Sequence, residues 1–574
     1  MDYQRIFILL GLAVTAYLLI LAWNEDYNRS PVETDVVIRS ETNTDVPTTE
    51  LPLPAAGMDA APSTAADQET NIVPELDVVP DLDPVNPTQP VQQVAPDTGR
   101  LVQVETDVFS LTIDTLGGDI TYVSLPEFPN SLETPDNPFV LVDPRNSYSA
   151  QSGLIGPDGT DNTSGRPLYT TGSHYYSLDD KDQLTVVLTL PDAGDGLVLH
   201  KEFHFTRSDY LIRINYTVEN QTDKDWSAAI FAQIKRDGQD PFNMDSNLMG
   251  MKPYVGGATW TPDTPYQKLE FDDLEEELYK GRVTNGYMAM VQHYFVSAFI
   301  PEGDGENTYQ ARKLPGQDIY LLGFTTPLWT VPRGGIDSRA VQFYTGPKDQ
   351  YRLQEITRGL DLTIDYGFLW WLAQPLFYLL TFIQGYVVNW GIAIILLTCI
   401  VRLLLYPLSA AGLRSNAKMR KVQPQMVRLK EKYGDDRQKF SQEMMNLYKK
   451  EGANPLGGCF PILLQMPVFI ALYWVLLESV EIRQAPFALW IKDLSAMDPY
   501  FVLPILMGIS MYFVTLMQPE PPDPMQAKIF KMMPIVFTFF FLWFPAGLVL
   551  YWLASNILSI LQQWYVTRKI EAGG

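Results

Sequence analysis

A single basic residue interrupts one of the most apolar stretches of the chain. Arg402 lies within the apolar segment 391–408, and Thr398 lies one helical turn before it, on the same face of a helix. A charge at the centre of a membrane helix costs ~2.5–3.5 kcal/mol on insertion scales, so the residue needs a compensating environment. Two explanations stay open: the side chain extends to the lipid headgroups, or it lines a water-filled cavity, open to the cytoplasm, that attracts anionic polypeptide segments.

Other apolar segments of the C-terminal half also carry polar residues. Gln465 lies inside the segment 457–477, and Ser555 and Asn556 interrupt the last apolar segment. Polar side chains within a helical bundle either form hydrogen bonds across helices or line a hydrated cleft. Together with Arg402 they favour a hydrophilic groove that binds other polypeptides.

No motif of a known reaction type accompanies these residues. The sequence contains no phosphate-binding Gly-Lys-Ser/Thr loop, no zinc-ligand spacing and no Gly-x-Ser-x-Gly nucleophile motif. His200 and His204 share a face of a strand or helix, but two histidines are too few for a metal site, so a solvated or packed pair is favoured. The net charge of −25 argues against nucleic-acid binding. We therefore expect no cofactor, no metal, no nucleic acid and no enzymatic activity.

Apolar segments of the C-terminal block are long enough to form the membrane-spanning helices that position these residues. The predicted spans cover residues 387–408, 457–477, 501–517, 529–544 and 547–566. A further apolar run, within residues 1–23, follows Arg5 and ends at the bulky Trp23, where a signal-peptide cleavage site needs small residues. An uncleaved N-terminal anchor is therefore favoured over a secretory signal peptide.

Basic residues determine the predicted orientation of these helices. Lysine and arginine accumulate in segment 409–452, which the positive-inside rule places in the cytoplasm. Counting spans outward from this segment places both termini in the cytoplasm and the acidic half of the chain outside. Apolar residues at three- and four-residue steps predict that segment 409–452 is a helical hairpin, whose charges either fix the topology alone or form a docking surface. The candidate docking residues are Arg414, Lys418, Arg420, Lys421, Arg428 and Lys430.

The N-terminal half has the composition of a tether followed by a soluble domain. Residues 24–100 are rich in Pro, Thr, Asp and Val and poor in aromatic residues, which predicts a disordered tether. Short alternating stretches across residues 101–355 predict a large antiparallel β-sandwich. Residues 356–384 contain Trp370 and Trp371, which favours a helix lying along the outer membrane surface; a spanning segment is the competing interpretation.

Four longer motifs resemble a known family. They are IVRLLLYPL at 400–408, NPLGGCFPILLQMPVF at 454–469, RQAPFALWIKDLSAMDPY at 483–500 and FFLWFPAGLVLYW at 540–552. These motifs look like those of the YidC insertases, a family that includes mitochondrial oxidase-assembly and chloroplast thylakoid insertases. The order of anchor, tether, soluble domain and membrane core resembles the Gram-negative form. The resemblance implies an α-helical five-span core plus an N-terminal anchor helix, with a large periplasmic antiparallel β-supersandwich domain.

The resemblance also implies a function. Insertases of this family insert and help fold integral inner-membrane proteins, alone or with the Sec translocon, through a hydrophilic groove open to the cytoplasm. Arg402, Thr398 and Gln465 match groove positions. The family's groove tyrosine aligns with Trp552, which follows Tyr551, so which of the two rings faces the groove stays open. Implied partners are nascent membrane-protein clients, the Sec translocon and the lipid bilayer, with the ribosome, the signal recognition particle and its receptor as further candidates.

Two other classes of function stay open on the sequence alone. The β-supersandwich fold resembles sugar mutarotases, so one alternative is a transporter or envelope enzyme that binds carbohydrate, although a fold by itself does not give a function. The other alternative is a passive scaffold for the Sec translocon. An active site would need histidines and carboxylates to converge, which positions in a sequence do not establish.

Overall fold

The computed structural model describes residues 99–162, 165–191, 196–239, 253–433, 436–451, 460–518 and 524–572, all within one compact unit, Leu76–Gly574. The predicted N-terminal anchor and nearly all of the predicted tether lie outside the described residues. Within them, β-strands occupy the chain from Leu101 to Pro347, here called the β domain, and helices predominate after it. The β domain and a helical core therefore follow one another along the chain.

The β domain consists of two sheets that share one apolar core. Its strands are β1 (Leu101–Glu105), β2 (Ser110–Asp114), β3 (Asp119–Ser131), β4 (Thr134–Val142), β5 (Ser149–Ile155), β6 (Thr170–Thr171), β7 (Tyr175–Ser177), β8 (Gln183–Leu190), β9 (Leu197–Thr206), β10 (Leu211–Asn220), β11 (Trp226–Arg236), β12 (Gly256–Thr259), β13 (Gln267–Leu269), β14 (Tyr279–Thr284), β15 (Met288–Gln292), β16 (Phe295–Pro301), β17 (Glu306–Lys313), β18 (Tyr320–Thr325), β19 (Trp329–Val331) and β20 (Ile336–Pro347). A short helix, α1 (Phe271–Glu276), lies between β13 and β14.

The order of the strands defines the two sheets. One is 11-stranded, with the order β14-β17-β18-β11-β5-β3-β2-β1-β7 and with β19 and β4 paired to β11 and β3. The other is 9-stranded, with the order β13-β12-β15-β16-β20-β10-β9-β8-β6. Alternation along the strands builds the core: Phe203 of β9 is buried opposite Ile214 of β10, while its neighbours His204 and Glu202 are only partly buried. The β-sandwich that the sequence predicts is confirmed.

The two histidines singled out in the sequence lie on one face of β9, beside carboxylates. His200 Nε2 lies 3.7 Å from a carboxylate oxygen of Glu219, and His204 Nε2 lies 3.4 Å from one of Glu202. Both imidazoles are partly exposed. Within the described residues, no group of three or more His, Cys, Asp or Glu could hold a metal ion.

Helices form most of the chain after the β domain. They are α2 (Gln350–Ile356), α3 (Trp370–Val387), α4 (Trp390–Leu404), α5 (Tyr406–Tyr433), α6 (Arg437–Glu451), α7 (Phe460–Glu478), α8 (Val502–Leu516), α9 (Pro524–Phe540) and α10 (Ala546–Ala572), with 3-10 turns at Leu360–Thr363, Gly367–Leu369, Val480–Ile482 and Phe541–Trp543. By length and composition, one helical segment among the described residues could cross a membrane: Met525–Trp543, which comprises α9 and the 3-10 turn after it. The shorter apolar helical segments are Trp390–Leu404 of α4, Gln465–Glu478 of α7 and Val502–Leu516 of α8. The number of spans therefore stays a prediction.

The helix that carries Arg402 ends earlier than its apolar segment suggests. The predicted span 387–408 contains two helices: α4 ends at Leu404, and α5 begins at Tyr406 and continues into the hairpin. Pro407 explains the break, because proline lacks the N–H that a continuing helix needs but fits the first turn of a new one. Arg402 consequently lies in the last turn of α4, where the helix dipole stabilises a cation.

Helix α3 has two different faces. Its exposed aromatic side chains are Trp370, Trp371, Phe382 and Tyr386. Its buried side chains are Ala373, Leu376, Phe377, Leu380 and Ile383. A helix with large aromatic residues on its free face has the character of an interfacial helix, although its position relative to a bilayer stays a prediction.

Candidate functional site

Helix α10 contributes hydrogen-bonding side chains to three other helices of the core. It contacts α7 through Tyr551, α4 through Ser555 and α8 through Asn556. Tyr551 and Ser555 are one helical turn apart, so their side chains project from one face of α10. The helices that carry the predicted groove residues therefore meet along this part of α10.

Arg402 is held by a single residue of α10. Its Nε donates to Ser555 Oγ at 3.2 Å, and its Nη2 donates to Ser555 Oγ at 2.5 Å and to Ser555 O at 3.1 Å. The side chain is partly exposed, and no carboxylate pairs with it among the residues that the structure describes. These contacts orient one edge of the guanidinium and leave Nη1 for another ligand.

Gln465 and Tyr551 connect α7 to α10, whereas Thr398 is satisfied within its own helix. Gln465 Nε2 donates to Tyr551 Oη, and both side chains are buried. Thr398 is also buried, and its Oγ1 donates to the carbonyl of Ile394 at 2.7 Å. Back-bonding of this kind occupies the threonine hydroxyl locally. Thr398 thus lies beside the Arg402 turn without bonding to Arg402.

Trp552 lies in a different environment from Tyr551. Its ring packs edge-on against Phe469 at a centroid distance of 4.7 Å, and it lies 5.4 Å from Phe541 and 6.4 Å from Phe537. These rings come from α7, α9 and the 3-10 turn that follows α9. The structure therefore places Tyr551 against the polar Gln465 and Trp552 within an aromatic cluster.

Asn556, which interrupts the last apolar segment, and Gln563, which the sequence patterns do not single out, also bind α10 to its neighbour α8. Asn556 Nδ2 donates to Ser510 Oγ at 3.0 Å, and Gln563 Nε2 donates to Met517 O at 2.6 Å. Asn556 and Gln563 are two helical turns apart and share a face of α10. That spacing is readable in the sequence, but Ser510 gives no periodic signal within the apolar helix α8.

Helices α5 and α6 form a hairpin with a small core of its own. Val422 and Met426 of α5 pack with Tyr448 of α6. The side chains of Arg420 and Lys421 lie outside the described part of the chain. The other candidate docking residues, Arg414, Lys418, Arg428 and Lys430, have exposed side chains.

Comparison with known proteins identifies the family. Residues 101–379 match the family described as YidC periplasmic domain, and residues 382–573 match the one described as 60Kd inner membrane protein. A membrane protein insertase YidC from Pseudomonas entomophila is 48% identical over 580 residues, covering 100% of this chain and 99% of its own. The chain belongs to the YidC family of membrane protein insertases. The insertase of this family from Cellvibrio japonicus is 48% identical over 575 residues, with the same coverage.

Membership of the YidC family establishes the function in outline. The chain is an insertase of the inner membrane, it acts on nascent membrane proteins in the lipid bilayer, and it has a periplasmic domain. Because the family consists of insertases and not enzymes, the expectation of a non-enzymatic function is confirmed.

Solved structures give weaker matches. An active YidC insertase with its first transmembrane domain resolved covers 81% of this chain and 92% of its own, with 20% identity and a TM-score of 0.38. A galactose mutarotase related enzyme from Lactobacillus acidophilus covers 43% of this chain and 97% of its own, with 10% identity and a TM-score of 0.30. At these TM-scores neither match adds to the description of the chain.

Proposed function

We propose that the chain inserts its clients through a hydrophilic, cytoplasm-open groove in which Arg402 binds the anionic end of the client. The observation that carries this proposal is a guanidinium that Ser555 orients and that no carboxylate neutralises among the described residues. A charge within a membrane bundle is normally paired, so the missing counter-charge is expected to come from another molecule. A client carboxylate fits, because the guanidinium fork binds carboxylates through parallel hydrogen bonds.

In this proposal the other candidate residues divide between a polar and an apolar path. Thr398, Gln465 and Tyr551 form the buried polar part of the groove wall, on the path of the client's polar tail. Trp552 lies beside the route along α7 and α10, by which the apolar helix of the client passes into lipid. Transfer of the client's apolar surface from water into lipid favours insertion by ~25 cal/mol per Å². The membrane potential adds ~2.3 kcal/mol per 100 mV for each negative charge that moves outward. No nucleotide is required.

The proposed topology has an N-terminal anchor within residues 1–23 and five further spans, with both termini in the cytoplasm. The distribution of basic residues supports it, since exposed basic side chains of the α5–α6 hairpin lie between the first two spans of the core. Near the proposed cytoplasmic end of α10, the Arg568 guanidinium lies 4.2 Å from the centroid of the exposed Trp564 ring. Such an aromatic and basic pair is typical of a membrane interface.

The partners of the cytoplasmic side are proposed from the same hairpin. The exposed Arg414, Lys418, Arg428 and Lys430 all lie on α5, which packs against α6 through the small apolar core of the hairpin. A basic surface with a defined shape suits docking of a ribosome, of the signal recognition particle or of its receptor. Cooperation with the Sec translocon is proposed from the family alone.

Insertion by the purified chain tests the proposal directly. We expect vesicles that contain only this chain to insert a single-span client, measured as a protease-protected fragment, because the groove and the apolar path lie within one molecule. Vesicles of the same lipids without the chain are the control. Insertion that appears only when the Sec translocon is added would favour the passive scaffold instead.

Replacing Ser555 with alanine tests how Arg402 is held. Two of the three contacts between these residues end on the serine hydroxyl, so Ser555→Ala removes both and leaves only the backbone carbonyl. Hydrogen bonds to a charged group contribute ~1.5–3 kcal/mol, so we expect roughly tenfold slower insertion of a client with an acidic tail. Ser555→Thr, which keeps the hydroxyl, is the matched control. Equal rates for the alanine and threonine variants would exclude this role of the hydroxyl.

A further inference from the structure

The segment 483–500, here called the outer loop, precedes α8 and lies against the ends of other core helices. Hydrogen bonds within the loop fix its path. Phe487 N–H donates to Ile491 O at 3.0 Å. Leu494 N–H donates to Ala485 O at 3.0 Å. In the proposed topology this loop lies on the outer side of the membrane, at the opposite end of the core from the α5–α6 hairpin.

Helix α10 begins against the outer loop. The N–H groups in the first turn of a helix have no partner within that helix. In α10 they bond to the loop instead: Ala546 N–H donates to Ala496 O at 2.7 Å. Gly547 N–H donates to Leu494 O at 2.9 Å. A Cβ on Gly547 would lie 3.2 Å from Leu494 O and 3.3 Å from Cδ1 of Ile394 in α4, so the loop, α4 and α10 meet closely at this glycine.

The outer loop also holds the start of α4, the helix that carries Arg402. Asn389 caps this helix, since its Oδ1 accepts from Ile392 N–H at 3.0 Å. Its Nδ2 donates to Phe487 O at 2.9 Å. The Phe487 ring lies so close to Gly391 that a Cβ on this glycine would overlap it. One side chain therefore both caps α4 and binds the loop.

A buried carboxylate connects the outer loop to α8. Asp498 is only 1% exposed. Its Oδ1 accepts from Trp490 Nε1 at 2.9 Å and from Tyr500 N at 3.0 Å. Its Oδ2 accepts from Leu503 N, in the first turn of α8, at 2.7 Å. Hydrogen bonds to an ionised acceptor are stronger than those between neutral groups, and donors left buried without an acceptor are costly. Asp498 thus holds the loop and the start of α8 together.

We propose that the outer loop holds the outer ends of α4, α8 and α10 together during insertion, with Asp498 and Asn389 as its positioning residues. The inference rests on the groove proposed above but not on the charge of Arg402, and the hydrogen bonds that carry it lie within the helical core. Ser555 lies about 13 Å further along α10 than Ala546 by helical rise. With the outer ends held, a client that enters from the cytoplasm separates only the inner parts of α4 and α10.

Held outer ends also preserve the rotation of α10. Successive residues of an α-helix are about 100° apart around its axis, so a rotation of that size would place Trp552 where Tyr551 now meets Gln465. Such a rotation would break the bonds of the first turn of α10 to the outer loop. The loop therefore keeps the polar side chains of the groove facing one another when the inner parts of the helices move apart.

Removing the carboxylate from the full chain tests this role. Asp498→Ala leaves three N–H groups without their acceptor, so we expect the amides of Leu503, Ala546 and Gly547 to exchange hydrogen at least tenfold faster. A client with a neutral tail should insert into vesicles at least fivefold more slowly. The loss should appear in the maximal rate and not in the client concentration that gives half of it, because the cytoplasmic entrance to the groove is unchanged.

Two milder variants keep the test decisive if Asp498→Ala folds poorly. Asp498→Asn retains one acceptor oxygen and should change both rates by about threefold. Asn389→Asp keeps the cap of α4, because aspartate and asparagine cap helices about equally well, but it cannot donate to Phe487 O. We expect this variant to slow the neutral client about threefold and to speed exchange of the loop amides of Phe487 and Leu494 by a similar factor.

A carboxylate that accepts a backbone N–H in the β domain provides the matched control. Asp143 is 8% exposed and accepts from Arg145 N at 2.9 Å. Asp143→Ala should change neither hydrogen exchange in the outer loop nor insertion. Unchanged exchange in Asp498→Ala would show that the loop does not hold the helix ends, and faster exchange with a normal maximal rate would overturn the positioning role.

The neutral client separates this inference from the proposed groove chemistry. Arg402→Ala should slow only a client with an acidic tail, whereas Asp498→Ala should slow acidic and neutral clients alike. If the unaltered chain inserts no client, the proposed function fails, and the exchange rates still decide whether the outer loop holds the helix ends.

Discussion

Replacing Arg402 with alanine is expected to slow insertion of a client with an acidic tail by roughly 10- to 100-fold. The variant removes the cation that the proposal places opposite the client carboxylate, and a hydrogen bond to a charged group contributes ~1.5–3 kcal/mol. The measurement is the initial rate of protease protection in vesicles that contain the purified chain. A client whose tail acids are replaced by amides should insert at nearly the same rate with and without Arg402.

The comparison of client tails separates a role in binding from a role in structure. Arg402 also joins α4 to α10 through Ser555, so its loss could loosen the bundle. Loosening would slow both clients equally, whereas loss of a counter-charge slows only the acidic one. Arg402→Lys keeps the charge but cannot form the planar fork, so it should give an intermediate rate with the acidic client. Equal slowing of both clients would reject the electrostatic part of the mechanism.

The architecture was largely predictable because local patterns determine it. Alternating residues on β9 and β10 predict half-buried strands, and the structure pairs Phe203 with Ile214 in that register. The apolar segments likewise predict helices, because they are too long for ordinary strands. The predicted span extended past the break after Leu404, because Leu403, Leu404 and Leu405 continue the apolar pattern and hydropathy alone gives no weight to Pro407.

The groove residues were predictable one by one, but their contacts were not. A charge in an apolar segment identifies Arg402 without any knowledge of the fold. Its partner Ser555 is 153 residues away, so no local pattern connects the two. Whether Tyr551 or Trp552 lies next to Gln465 depends on the rotation of α10, which adjacent aromatic residues in a sequence do not determine.

Buried charges escaped the sequence analysis for a related reason. Lys201 occupies an inward-facing position of β9 between Leu199 and Phe203, and all three are fully buried. Alternation alone would place an apolar residue there. Lys348 and Glu478, which form a buried ion pair, stand near the ends of their elements, where charged residues are common and normally exposed. Only the packing of distant segments makes these charges exceptional.

A network of four buried charged residues connects the two sheets of the β domain. Arg166 Nε lies 2.7 Å from Oδ1 of Asp161, and its Nη1 lies 2.6 Å from Oδ2 of Asp119. All three side chains are less than one-tenth exposed. Lys201 Nζ donates to two backbone carbonyls at 3.0 and 2.8 Å. Burial lowers the pKa of Lys201 to about 7 and raises that of Asp119 in spite of Arg166. Desolvation is therefore the dominant effect, and each charge depends on its partners.

We expect Arg166→Met to lower the free energy of unfolding of the β domain by ~3–5 kcal/mol, because it leaves Asp161 and Asp119 buried without their guanidinium. The measurement is protease susceptibility of the β domain in the full chain across a urea series. Arg145→Met is the matched control: Arg145 lies 2.6 Å from Asp143, but its side chain is 81% exposed, so the urea midpoint should not move. A loss in Arg166→Met below ~1 kcal/mol, the upper value for exposed pairs, would show that water or protonation relieves the two carboxylates.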